Sequence, residues 1–69
     1  MDNDTANIFQ AYNLASYNVT LSLSKIALLI HHKVEPDRFY YEKSLNQVKD
    51  LQLALLILED WLYKQTVQE

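Results

Sequence analysis

The chain has 69 residues, a net charge of −3, and neither cysteine nor glycine. A domain this small rarely holds a core worth more than about 3–5 kcal/mol unless a disulfide, a metal or oligomerisation reinforces it. Without cysteine, disulfides and thiolate metal sites are excluded. Apolar residues make up 49% of the chain, too many for a disordered segment, so oligomerisation is the reinforcement left.

The amino terminus, Met1-Asp2-Asn3-Asp4-Thr5, is acidic where a secretory leader would be basic and then apolar. A cytoplasmic location is therefore expected. The first helix is predicted from about Thr5 to Lys33, with Asp4 as its N-cap and Asp2 adding negative charge at the positive end of the helix dipole. His31, His32 and Lys33 place cations at the opposite end. The one proline, Pro36, marks the only break, with a turn over residues 34–36. Pro36 suits the first helical position and Asp37 the first turn of a second helix, which is predicted to run to about Thr66. Within it, Arg38–Glu42 and Asp60–Lys64 have the i,i+4 spacing of opposite-charge pairs. Turns are scarce without glycine. Residues 1–69 are accordingly read as one domain, an all-α antiparallel two-helix hairpin.

At about 100° per residue, Ile8, Tyr12, Ala15, Val19, Leu23, Ile26 and Ile30 share a face of the first helix, widened by Phe9 and Ala27. Tyr41, Leu45, Val48, Leu51, Leu55, Leu58 and Leu62 form the stripe expected to meet it. A second apolar pattern lies away from this seam. Leu14, Leu21 and Leu28 recur every seven residues with Tyr17 beside them, and Leu53, Ile57 and Trp61 step by four along the second helix. A helix that is apolar on two sides is normally buried on two sides. The expectation is a homodimeric four-helix bundle made from two hairpins.

Little in the chain supports catalysis or cofactor binding. Adjacent His31 and His32 point about 100° apart on a helix and cannot chelate one ion together, so no metal or other cofactor is expected. Ser24 lies two turns before His31, on the order of 10 Å away and beyond hydrogen-bond reach. Glycine-rich phosphate loops are impossible here. The longest apolar run, Leu53–Leu58, is far short of the about 20 residues needed to cross a membrane. Six basic residues, Lys25, Lys33, Arg38, Lys43, Lys49 and Lys64, are scattered singly, which disfavours nucleic acid as a partner.

The expected function is that of a non-enzymatic interaction module. It self-associates and modulates a partner protein through Leu14, Tyr17, Leu21, Leu28, Leu53, Ile57 and Trp61, with Trp61 as the foremost anchor. The alternative is an assembly subunit whose partners are copies of itself. A nucleic-acid-associated hairpin ranks below both.

Overall fold

The computed structural model describes residues 3–67, and these form two helices packed against each other. Helix α1 spans Asn3–His31 and α2 spans Arg38–Val67. Contacts between Phe9 and Trp61 and between Ser22 and Gln47 set the pair antiparallel. Both i,i+4 ion pairs form on the exposed surface of α2, Arg38 to Glu42 at 2.7 Å and Lys64 to Asp60 at 3.0 Å. Exposed pairs of this kind are worth only a few tenths of a kcal/mol.

The break between the helices is longer than the proline alone implies. Lys33 adopts φ 59°, the left-handed region. The Lys33 N–H donates to the Ile30 carbonyl at 2.9 Å and the Val34 N–H to the Leu29 carbonyl at 2.9 Å. This pair of bonds is a Schellman cap, a task normally given to glycine. With no glycine in the chain, a lysine takes the strained conformation and α1 stops at His31 instead of Lys33. Glu35, preceding proline, is steered away from helical geometry. The second helix therefore starts two residues after Pro36, which is buried beneath the turn and is not its first residue. Asp37 precedes the helix, and its carbonyl accepts the Tyr40 N–H at 3.0 Å. At the other end α1 begins at Asn3, so Asp4 lies in the first turn. Asp2 falls outside the described residues.

The seam between the helices follows a strict alternation of three- and four-residue steps. In α1 it comprises Thr5, Ile8, Tyr12, Ala15, Val19, Ser22, Ile26 and Leu29, all buried or half-buried. In α2 it comprises Tyr40, Ser44, Gln47, Leu51, Ala54, Leu58 and Trp61, also all buried or half-buried. A 3.5-residue repeat of this kind is the pattern of a left-handed coiled pair. Half of the predicted seam is displaced from it by one position. Leu23, Ile30, Tyr41, Leu45, Leu55 and Leu62 remain exposed, while Ser22, Leu29, Tyr40, Ser44, Ala54 and Trp61 face the partner helix. Small residues at the contact line let the two backbones approach, and the larger side chains are left at its flanks.

The hairpin is consequently thin. Its radius of gyration is 15.8 Å, where a compact chain of this length would have about 11 Å. Its accessible surface is 5757 Å² for 8.1 kDa, about 1,300 Å² more than a compact monomer of that mass retains.

The strained cap makes a direct prediction. Lys33→Gly should raise unfolding free energy by about 1 kcal/mol, since left-handed backbone costs a non-glycine residue about 1–2 kcal/mol and the added chain entropy returns part of it. Urea titration followed by circular dichroism measures this, and a loss of stability would contradict the cap.

Candidate functional site

The interior of the seam is too small to be a site and is partly polar. Ser22 donates its hydroxyl hydrogen to Gln47 Oε1 across the helices. Ser44 is only 5% exposed, and its hydroxyl has no hydrogen-bond partner. Burying an unpartnered hydroxyl costs about 1–3 kcal/mol. Further along, towards the α1 amino terminus, the rings of Phe9 and Trp61 meet edge to face at 5.3 Å and 83°. The hairpin is thus closed by an aromatic pair and has a serine-glutamine layer nearer its turn.

Function has to be sought on the two flanks of the seam. On one flank, Ala11, Leu14, Ala15 and Asn18 of α1 and Gln47, Asp50, Ala54 and Ile57 of α2 line an open groove of about 310 Å³. Its floor is low because Ala15 and Ala54 lie on the seam, and Leu14 and Ile57 stand as its walls. Both walls are exposed, Leu14 at 63% and Ile57 at 56%. Towards the turn, the same flank continues into a hollow of about 120 Å³ lined by Leu21, Ser22, Lys25, Tyr40, Lys43 and Ser44. This flank is therefore apolar at one end and carries two lysines at the other.

The opposite flank has a different chemistry. Phe9, Ser16, Leu23 and Ile30 recur every seven residues along α1, each one position after a seam residue. Tyr41, Val48, Leu55 and Leu62 do the same along α2. The register fixed by Ser22–Gln47 and Phe9–Trp61 puts these rows level with one another, from Phe9 beside Leu62 to Ile30 beside Tyr41. An open hollow of about 540 Å³ lies at one end, lined by Leu55, Leu58, Glu59, Leu62, Tyr63 and Thr66. Glu59 is the one ionisable carboxylate on that lining.

The residues singled out from the sequence therefore separate. Leu14 and Ile57 come together across the groove, and Leu21 lines its lysine-bearing continuation. Tyr17, Leu28 and Leu53 are exposed on the outer surfaces and line neither hollow of that flank. Trp61 differs from expectation: it occupies a seam position, half-buried against Phe9, because the 3.5-residue repeat carries the seam onto it at the end of α2. On the opposite flank, Phe9, Leu23, Ile30, Tyr41, Val48, Leu55 and Leu62 belong to the stripes expected to form the seam, whereas Ser16 does not.

The described residues hold no group of three or more His, Cys, Asp or Glu placed to bind a metal ion. His31 and His32 stack edge to face at 5.4 Å beside the turn. Among the described residues no helix is long and apolar enough to cross a membrane. Comparison with protein-family models, curated proteins and solved structures finds no match for this chain.

Two substitutions check this geometry. Trp61→Ala should lower unfolding free energy by about 2–3 kcal/mol, somewhat less than for a fully buried tryptophan, and an unchanged urea midpoint would put the indole outside the seam. Ser44→Ala removes an unpartnered buried hydroxyl and should raise stability by about 1 kcal/mol. A loss in that variant would mean the hydroxyl has a partner.

Proposed function

We propose that this protein is a non-enzymatic interaction module: a helical hairpin that self-associates, most simply as a homodimeric four-helix bundle, and binds and modulates a partner protein. One observation carries the reading. The isolated hairpin leaves about 1,300 Å² more surface in water than a compact protein of its mass, and much of it lies on large apolar side chains such as Leu14, Leu23, Ile30, Leu45, Leu55 and Ile57. Full burial of such a side chain is worth roughly 1.5–3 kcal/mol, and about half of that remains to be gained by one already half covered. A standard protein interface buries about 800 Å² per partner, so the surplus is of the right size for one interface with area left over.

Two flanks with different chemistry support two kinds of contact. The Leu14–Ile57 groove is a shallow apolar trough with Asp50 and Asn18 on its lining and Lys25 and Lys43 beyond it. That mixture suits an amphipathic helix of another protein, with apolar anchors for the trough and polar residues for its rim. The lack of cysteine fits work in a reducing, cytoplasmic setting. In the alternative reading, copies of the chain occupy both flanks and the protein is an assembly subunit. A growing, open-ended series of masses in solution would favour that version.

A paired capture from host extract tests the partner reading. Wild-type chain should retain a specific protein that Leu14→Glu/Ile57→Glu loses, with helicity unchanged by circular dichroism. Equal retention by both chains would remove the groove from the account.

A further inference from the structure

We infer that a second copy of this chain docks on the flank bearing Leu23, Ile30, Tyr41, Leu55 and Leu62, leaving the Leu14–Ile57 groove on the outside of the dimer. The inference rests on the self-association proposed above and names its surface, one that sequence reading had assigned to the contact within the hairpin.

Two observations select that flank, and a third bears on whether the chain has surface enough for it. The first is periodicity. A helix in a four-helix bundle needs three apolar positions per heptad, the two seam positions and one neighbour on the side facing the other pair. The docking rows supply that third position on both helices and on the same side, apolar at every position but Ser16, so they extend the seam into a wider, mainly apolar face. The opposite flank carries Lys25, Lys43 and Asp50 interspersed with its apolar residues.

The second observation is charge. A two-fold interface is isologous, so each patch meets its own copy. On the groove side, this would draw Lys25, Lys43 and Asp50 of both copies into the interface and desolvate them. On the docking side α1 contributes no charged residue, and α2 contributes only Arg38, in its first turn, and Glu59, in the same heptad row towards its carboxyl-terminal end. Interface cores are depleted in charge for this reason. The remaining charges of α2 lie on its outer and groove-side surfaces, where solvent remains in contact with them in the dimer.

The third observation is area. Leu23, Ile30, Tyr41, Leu55 and Leu62 are between 44% and 57% exposed, all on one side and along most of a body 54 Å long. The surplus of about 1,300 Å² that the hairpin carries exceeds the about 800 Å² per partner that a stable dimer needs.

Sedimentation equilibrium on Leu23→Glu/Leu55→Glu and on Leu14→Glu/Leu21→Glu tests the assignment, because glutamate suits a helix and all four positions are exposed in the single hairpin. The first pair should weaken dimerisation by about 100-fold or more through uncompensated buried charge. The second should leave it within about threefold of wild type. The reverse result overturns the docking face while self-association stands. A wild-type chain that stays monomeric at high micromolar concentration overturns self-association itself. Thiol labelling gives a conservative second measurement in a chain with no cysteine of its own. Leu55→Cys should react at least about tenfold more slowly in the dimer than Leu14→Cys, the ratio set by burial. A Leu55→Cys thiol that reacts as fast as Leu14→Cys in a dimer would assign this flank to another protein and overturn the inference.

Discussion

The whole molecule depends on a contact line in which small side chains are interspersed among large ones. Ala15 and Ser22 of α1 meet a ridge of α2 that includes Ser44 and Ala54, and two of these four, Ser44 and Ala54, are among the few buried residues of the chain. Small residues bring helix axes close, and closeness leaves no space between the helices for the leucines next in sequence. Those leucines are not spare surface. They are displaced to the flanks by the same packing that holds the hairpin together, which is why so little of a chain that is 49% apolar is buried.

The energetics follow from that geometry. The seam loses stability to the unpartnered Ser44 hydroxyl and the left-handed Lys33 and regains some from the Phe9–Trp61 pair. None of these terms exceeds a few kcal/mol, whereas the many flank side chains, already about half covered in the hairpin, each offer about half of the roughly 1.5–3 kcal/mol of full burial. The larger reserve of stabilisation therefore lies outside the hairpin. A chain built this way gains more from meeting another apolar surface than from refining its own core, and the proposed self-association would couple its stability to its concentration.

Most of the fold was legible from local signals. The absence of glycine, the single Pro36 and the end charges located two helices and one break to within a few residues, and the i,i+4 pairs form as their spacing implies. The break itself was placed too narrowly, because a Schellman cap closed by a lysine leaves no glycine to mark it. The seam was half legible. Reading apolar residues at helical spacing identified Ile8, Tyr12, Ala15, Val19, Ile26, Leu51 and Leu58 correctly. It passed over Ser22, Ser44 and Gln47, whose polarity hides a seam position, and Ala54, whose size does. Along α2 the larger neighbour one position on drew the stripe to Tyr41, Leu45, Val48, Leu55 and Leu62, where Tyr40, Ser44, Gln47, Ala54 and Trp61 are the seam residues. The groove was less legible still: Leu14 and Ile57 were visible as apolar ridges, but their approach across Ala15 and Ala54 depends on the register between helices.

The central claim is that the folded state of this chain includes more than one copy. Thermal unfolding monitored by circular dichroism from about 1 to 500 µM tests it most directly, because a midpoint depends on concentration only when folding and association are linked. The account predicts a midpoint that climbs steadily as concentration rises. A cooperative transition at one fixed temperature across that range, from a chain of monomer mass, would contradict it.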